Sequence, residues 1–448
     1  MPNPDRSRHV APLAHAARFA AAAALLIPTL AGCGGSGSSD TCAVGSGDGT
    51  IMIVVTGHDP GKVSVEGVSR VLTSSGMVTA PVGAHKVTAA PVTVPQSGIT
   101  SQVFAANVAE QTACVRAGET TMVSVTYALV PTSGKLWMGV SNAPANATLL
   151  GYTPASVAAS GAATADVVTN TGGSDGFTFD RDGNMWVLGG TTADFPVARY
   201  PASAFASDGD KTPDVVIDSP SFGNSLPGPK VLAFDPSGNM WVSVVAENKV
   251  VKFTAAQVAA GGTPTATVER TGIGSPQGLA FDSSGNLWVA AHDDAAVIRI
   301  DAAHLATSGV GNDLAIEGMS TMSGVTSTLR FPIGLAFDAS GNLWVNYDGT
   351  IASIPVAQLT GTGSKTITPP VVITTDVATL PVGIAFDQDG GLWLAHAVNK
   401  FARFDATQLS ASGSVTPAIV IDSDDVGSAS WFAMYPAPPS TPLFHKVP

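Results

Sequence analysis

The fold of this chain is decided by the stretch Pro276-Gln277-Gly278-Leu279-Ala280-Phe281-Asp282-Ser283-Ser284-Gly285-Asn286-Leu287-Trp288-Val289. The residues before Asp282 and after Asn286 have the composition of two short strands. The five residues from Asp282 to Asn286 suit a tight turn, because Asp and Asn bond to nearby backbone groups and Gly adopts positive φ. The stretch therefore predicts a β-hairpin, and we call it the repeat unit.

The repeat unit recurs along the chain at intervals of about 50 residues, a period typical of repeat architectures. Its key positions return as Phe179-Asp180 with Trp186, Phe234-Asp235 with Trp241, Phe337-Asp338 with Trp344, and Phe386-Asp387 with Trp393. A partial copy at residues 133–138 contains only the outgoing strand with Trp137. The number of residues between copies varies while the repeat unit itself is constant. The extra residues of the longer intervals are therefore expected in loops.

Each copy also carries two further β-rich segments. One is an apolar run with a polar-apolar tail, such as residues 299–305, and the other is a β-branched run such as Val371-Val372-Ile373. Four strands per repeat in radial array are the blade pattern of a β-propeller. The sequence therefore predicts an all-β fold with a six-bladed β-propeller.

The two ends of the repeat region complement one another. The first copy lacks the strand that precedes the turn. Residues 431–436 resemble such a strand, but no strand with a repeat Trp follows them. Pairing of residues 135–138 with residues 430–435 would complete the first blade and remove two exposed strand edges. We therefore predict that a C-terminal strand, 430–436, closes the ring.

Four segments are expected along the chain. Residues 1–32 are predicted to be a lipoprotein signal peptide, 33–48 a flexible tether, 49–130 a β-sandwich module and 131–448 the propeller. Runs at 49–55, 62–65, 83–89 and 121–127 alternate or are β-branched, with Gly and Pro turns between them. Residues 83–89 and 118–127 resemble small β-sandwich modules of immunoglobulin-like or carboxypeptidase-regulatory character.

The N-terminus has the pattern of a lipoprotein signal. Arg6, Arg8 and Arg18 give a basic start, residues 19–30 an apolar core, and Leu30-Ala31-Gly32-Cys33 a cleavage and acylation box, which predicts palmitate on Cys33. The alternative, a transmembrane helix, is disfavoured because the apolar run is short and contains Pro28. We expect a lipid-anchored protein of the cell envelope, at the outer membrane or cell surface.

Composition excludes several classes of partner. The net charge is −13, and removal of residues 1–32, with three basic and one acidic side chain, makes it −15. A chain this acidic does not bind nucleic acid or anionic lipid by charge. With 45% hydrophobic residues it is not disordered either. We expect a monomer attached to the membrane by its lipid.

Two cysteines remain once Cys33 is acylated. Cys42 and Cys114 are an even pair in an oxidising compartment, which favours a disulfide. Two unpaired buried thiols are the alternative.

The motif Pro-x-Gly-x-Ala-Phe-Asp-x-x-Gly-Asn-x-Trp-Val resembles the NHL-type and streptogramin-lyase-like propeller repeats. It is similar more distantly to the gluconolactonase and senescence-marker propellers. The resemblance covers residues 133–436 and implies the propeller fold. These families include lyases, lactonases and binding platforms, so the resemblance leaves the function open.

The residues that recur in every copy are interpreted as scaffold. Each repeated Asp begins a hairpin, where a carboxylate bonds turn amides, and each repeated Trp suits packing between blades. Residues 180–184 hint at a calcium loop, but position twelve is Thr191 and not Glu.

Candidate ligand-binding residues lie where the copies differ. Six residues at about 3.3 Å each carry the Trp strand roughly 20 Å from the turn to the opposite mouth of the propeller. The candidates there are Glu247, Asn248, His292, Asp293, Asp348, His396 and Asn399, with Asn142, Asp194, Asp294 and Tyr347 at related positions. The sequence identifies no cofactor, but His292 and His396 suit metal ligation or proton transfer, so the mouth could hold a divalent cation. Solvated loop residues are the alternative interpretation.

The resemblance implies catalytic histidines or metal-binding acids at such a mouth in lyases and lactonases. This sequence lacks the recurrent Glu after the Trp strand that the lyases show, and no catalytic residue is assigned. The expected function is therefore a binding platform for a partner or small ligand. A propeller lyase or lactonase-type hydrolase is the alternative.

Overall fold

The structure is a computed structural model, and it describes residues 42, 45–141, 148–173, 176–189, 197–225, 227–320, 326–328, 331–347, 349–375, 381–396, 400–422 and 426–438. The predicted signal peptide and Cys33 lie outside the described residues, as do Asn142, Asp194, Asp348 and Asn399. No helix within the described ranges is long and apolar enough to span a bilayer.

The N-terminal part of the described chain is a β-sandwich of two sheets. Its strands are β1 (Asp48–Thr56), β2 (Val63–Val65), β3 (Gly76–Pro81), β4 (Gly83–Ala89), β5 (Val92–Val94), β6 (Gln102–Ala106), β7 (Glu110–Val115) and β8 (Thr120–Leu129). One sheet has the order β3-β1-β8-β6-β5 and the other β2-β4-β7. Alternate residues of β1 and β8, such as Ile51 and Val123, are buried against Val87 and Val115 of the smaller sheet. Cys42 and Cys114 are disulfide-bonded, as predicted.

The rest of the described strands form six sheets with the all-β propeller fold, which we number I to VI. Sheet I contains β9 (Lys135–Ser141), β10 (Leu149–Tyr152), β11 (Val167–Asn170), β15 (Gly209–Asp210) and β37 (Ser428–Tyr435). Sheet II contains β12 (Gly176–Phe179), β13 (Met185–Leu188), β14 (Val197–Tyr200) and β16 (Val215–Ile217). Sheet III contains β17 (Pro229–Phe234), β18 (Met240–Val244), β19 (Lys249–Phe253), β20 (Val268–Thr271) and β24 (Gly309–Val310).

The three C-terminal sheets repeat the arrangement. Sheet IV contains β21 (Pro276–Phe281), β22 (Leu287–Ala291), β23 (Ala296–Ile300), β25 (Leu314–Ser320), β26 (Thr326–Thr328) and β30 (Gly363–Ile367). Sheet V contains β27 (Pro332–Phe337), β28 (Leu343–Tyr347), β29 (Thr350–Ile354), β31 (Val371–Thr374) and β35 (Gly413–Ser414). Sheet VI contains β32 (Pro381–Phe386), β33 (Leu392–His396), β34 (Lys400–Phe404) and β36 (Ile419–Asp422).

The polar-apolar tail after the third strand of a repeat forms a short helix or a 3₁₀ turn. The helix α1 (Ala255–Ala260) follows β19, and 3₁₀ turns occur at Ala202–Ala206, Pro220–Phe222, Ala302–His304, Val356–Gln358 and Gln408–Ser410. The Thr254 and Gln257 side chains form a reciprocal capping box at the start of α1.

The innermost strands β12, β17, β21, β27, β32 and β37 each contact the next around a central channel, and β37 contacts β12. The C-terminal strand β37 pairs antiparallel with β9, with Tyr435 opposite Lys135 and Ala433 opposite Trp137. This is the strand pairing that the sequence predicts for the two ends of the repeat region.

The outer edge of each sheet is covered by the following repeat. Short parallel strands β15, β24 and β35 add to β11, β20 and β31, and β30 adds to β25. Gly262 bridges Ile217 of sheet II, and Gly161 of the first repeat bridges Ile421 of sheet VI. The cover protects strand edges that would otherwise expose unpaired backbone groups.

The repeated tryptophans pack between sheets, as predicted. In four sheets the Trp ring meets the Phe of the next sheet edge-on, with Trp288 and Phe337 centroids 6.5 Å apart and planes at 73°. On its own sheet a Lys or Arg from the third strand covers the ring in three cases, such as Arg299 over Trp288 at 5.9 Å. Both contacts contribute beyond simple burial.

Candidate functional site

The carboxylates of the repeated aspartates are hydrogen-bonded within the turns that they begin. The Asp282 Oδ1 atom accepts from the N–H groups of Ser284 (2.9 Å) and Asn286 (3.0 Å). Its Oδ2 accepts from Asn286 Nδ2 and from the indole N–H of Trp288, both at 2.9 Å. Asp180, Asp235 and Asp338 make the same set of bonds in their turns. Their prediction as scaffold is confirmed, and they are not a ligand ring.

Sheet VI departs from this pattern because its turn has Gly391 in place of Asn. A Cβ at Gly391 would lie 2.5 Å from Nη2 of Arg403, so the missing side chain makes room for the guanidinium. Arg403 Nε donates to Asp387 Oδ2 at 2.6 Å, and the Trp393 indole donates to the same oxygen at 3.1 Å. The side chain of Asp387 is 0% exposed and that of Arg403 11%.

The same turn of sheet VI receives a loop of the β-sandwich. Asp389 Oδ2 accepts from Ser97 Oγ at 2.7 Å and from Gly98 N–H at 2.6 Å, and Gln388 N–H donates to Ile99 O at 2.9 Å. The Trp393 indole also donates to Gly98 O at 3.1 Å. This turn therefore serves as an attachment point for the β-sandwich.

At the opposite mouth, His292 is held between an acid and an aromatic ring. Its Nδ1 lies 2.8 Å from Asp293 Oδ1. Its imidazole lies 4.7 Å from the Phe331 ring centroid, with 30° between the planes. The His292 side chain is 28% exposed, that of Asp293 66% and Phe331 44%, so the group is reachable from solvent.

Phe331 is the member of this group that sequence reasoning missed. It precedes Pro332 with φ +58°, and Ser275 precedes Pro276 with φ +48° at the matching point of sheet IV. Positive φ is costly for a bulky residue and tends to persist where a site requires it. The position before the repeat Pro is Gly228, Ser275 or Leu380 in other copies, so an aromatic ring there could have signalled the site.

The other candidates have different surroundings. Asn248 has φ +50°, and its Oδ1 accepts from Ser275 N–H at 2.9 Å, so its side chain holds a turn. Glu247 is exposed. His396 is half-buried at the end of β33. Tyr347 lies at the end of β28, and burial raises its pKa to about 12, so that phenol stays protonated at neutral pH.

The two histidines belong to sheets that are not neighbours. The inner strand β21 of sheet IV contacts β27 of sheet V, and β27 contacts β32 of sheet VI. Sheet V therefore lies between His292 and His396, as the order of the repeats predicts.

Within the described residues, one group of three side chains could hold a cation, and it is on sheet IV away from His292. Ligand atoms of Asp301, His304 and Asp313 lie within 4.8 Å of one another. His304 Nδ1 is 2.8 Å from Asp313 Oδ1, and Asp313 Oδ2 accepts from Asp301 N–H at 2.8 Å. In sheet VI the N–H of Asp405 corresponds to that of Asp301. It donates to the Gln408 side chain, so an uncharged amide fills the same place there. The group thus has a structural role in closing its turn.

Comparison with known proteins identifies no family. No family model and no curated protein matches the chain. A streptogramin B lyase structure is 17% identical with a TM-score of 0.34, covering 52% of this chain and 65% of that one. A protein of unknown function from Bacteroides caccae is 11% identical (TM-score 0.42, 67% and 98% covered), and the nidogen/laminin complex 12% identical (0.41, 67% and 97%). Likenesses this low carry no argument about the activity of this chain, which must come from its own geometry.

Proposed function

We propose that this chain is a cell-envelope lipoprotein whose propeller is a binding platform, with six blades formed by sheets I to VI. The anchor is supported by the box ending at Cys33. The number of blades is supported by the ring of six inner strands and by the short strand or single bridge that each repeat adds to the preceding sheet. The platform acts at the membrane surface to which the lipid attaches it.

The observation that carries the binding role is the group of His292, Asp293 and Phe331 at the mouth. An exposed aromatic face next to an imidazole and a carboxylate offers stacking and hydrogen bonds together. A neutral ligand with an apolar face and several polar groups, such as a carbohydrate or a short peptide, matches that combination. The strongly acidic chain disfavours anionic ligands.

The binding role is tested with a panel of neutral oligosaccharides and short peptides, using biolayer interferometry on the immobilised protein. Phe331→Ala and the double variant His292→Ala/His396→Ala are compared with Val310→Ala, a surface residue of β24 that is 79% exposed. We expect at least a tenfold loss of affinity in the first two variants and none in the third. A ligand that binds all four proteins equally would remove this mouth as the site.

A second candidate is a propeller lyase or lactonase-type hydrolase, and the His292–Asp293 contact favours it. A proton on Nδ1, donated to Asp293, leaves Nε2 as an acceptor that could take a proton from a substrate. Turnover of lactones or cyclic depsipeptides, lost in His292→Gln, would support this activity. Metal analysis of the purified protein would show whether a divalent cation takes part.

A further inference from the structure

Trp431 is the one tryptophan of the chain outside the six repeat positions. It lies on the inner strand β37, opposite Gly139, immediately before Phe432. The matching residues of sheets II, IV, V and VI are Gly176, Gly278, Gly334 and Gly383. Sheet I therefore places an indole where four other inner strands have no side chain.

The indole of Trp431 crosses the central channel. It packs against the cluster between sheets I and II that includes Trp137 and Phe177. It also packs against the cluster between sheets III and IV that includes Val231 and Leu279. Sheet I is not a neighbour of sheets III and IV around the propeller. The indole of Trp431 must therefore span the channel between sheet I and those two sheets.

A cavity lies in the channel between Trp431 and the turn end of the inner strands. Its volume is about 90 Å³. The wall is made of residues from all six inner strands, among them Phe281, Ala336 and Ile384, and Pro438 lies beside it. No charged side chain is among the described residues that line it.

The indole N–H of Trp431 is the polar group that distinguishes this cavity. The six repeat tryptophans donate their N–H to a carboxylate or a carbonyl, as Trp137 does to Thr132 O at 2.9 Å. Trp431 makes no such bond to any described residue. A donor on an apolar wall fixes the orientation of a ligand in small-molecule sites.

We propose that this channel cavity binds a neutral molecule through a single apolar ring, which lies against Trp431 with a hydrogen-bond acceptor at the indole N–H. At about 90 Å³ the cavity is smaller than the apolar cavity of about 150 Å³ that accepts benzene, so its size limits the ligand to a single ring. A charged ligand is rejected because the apolar wall cannot compensate for its lost hydration. This site goes beyond the mouth at His292 and is independent of it.

The test uses the protein with all tryptophans replaced biosynthetically by 5-fluorotryptophan and followed by ¹⁹F NMR. Trp431→Phe assigns the Trp431 resonance, and the six repeat resonances report whether each variant is folded. Benzyl alcohol is titrated as the neutral probe, with benzoate and benzylamine as anionic and cationic counterparts of the same ring. Ala336→Leu narrows the cavity, and His292→Ala alters the mouth alone.

We expect benzyl alcohol to shift the Trp431 resonance saturably while the six repeat resonances stay in place. The charged probes should leave it unchanged at equal concentration, Ala336→Leu should weaken binding at least tenfold, and His292→Ala should have no effect. Three results would overturn the proposal: no saturable shift, an equal response to the charged probes, or unchanged affinity in a folded Ala336→Leu variant.

Discussion

The buried ion pair of sheet VI gives a quantitative test of how the repeat turn is stabilised. Arg403 supplies to Asp387 what Asn286 supplies to Asp282 in sheet IV, and Gly391 provides the space. Arg403→Leu leaves a fully buried carboxylate without its charged partner. Removing one member of a buried pair costs about 3–5 kcal/mol.

The second change in this test restores the common turn. Gly391→Asn introduces the amide that other turns use, and the φ of Gly391 is outside the positive region. In the Asn background the amide replaces the guanidinium as donor to Asp387, so Arg403→Leu should cost less than about 1 kcal/mol, the scale of a single net hydrogen bond. The coupling energy of the double-mutant cycle is therefore expected to exceed about 2 kcal/mol.

Urea unfolding followed by tryptophan fluorescence measures the four free energies of the cycle. Lys252→Leu is the matched control, because Lys252 lies opposite Trp241 in sheet III as Arg403 lies opposite Trp393 in sheet VI. In sheet III the Asn239 amide donates to Asp235, so that carboxylate keeps a partner when Lys252 is replaced. We expect the control to cost less than half of Arg403→Leu. A double variant as unstable as Arg403→Leu alone would refute this account of the turn.

Three further predictions follow from the fold and the sequence. Deleting residues 428–448 removes β37 and should lower the free energy of unfolding by several kcal/mol, a large part of typical stability. Deleting 439–448, which leaves β37 in place, should not. Equal melting temperatures and a monomeric state for both variants would contradict ring closure by β37. The hydrogen bond from Arg199 lowers the pKa of Asp214 below 3.8, so the ion pair stabilises the fold above pH 3.8 and less as the pH falls through the lowered pKa. Asp214→Asn should therefore make the unfolding midpoint less dependent on pH in acid. An unchanged pH dependence would contradict this role of the pair. Cys33→Ser should prevent acylation, and radiolabelled palmitate entering that variant at the wild-type level would disprove lipidation.

The sequence alone determined the features that depend on neighbouring residues. The turn from Asp282 to Asn286 and its bond to Trp288 form within seven residues, so composition and spacing predict the hairpin and its repetition. Pairing of the two ends of the repeat region also followed, because each half-copy lacks the strand that the other supplies. In the β-sandwich, β1, β2, β4 and β8 were predicted, while β3, β5, β6 and β7 were not. Polar residues such as Thr93, Gln102 and Glu110 interrupt the apolar pattern in most of the missed strands, so periodicity does not reveal them.

Only the tertiary structure decided the contacts between distant segments. Phe331 meets His292 because β22 of sheet IV packs against β27 of sheet V. Trp431 crosses the channel because β37 returns to the first sheet. Asn248 reads as a polar candidate in sequence, yet its positive φ makes it a turn residue. Such contacts depend on the closed ring, which brings together residues far apart in the chain, and no local pattern encodes the distance between them.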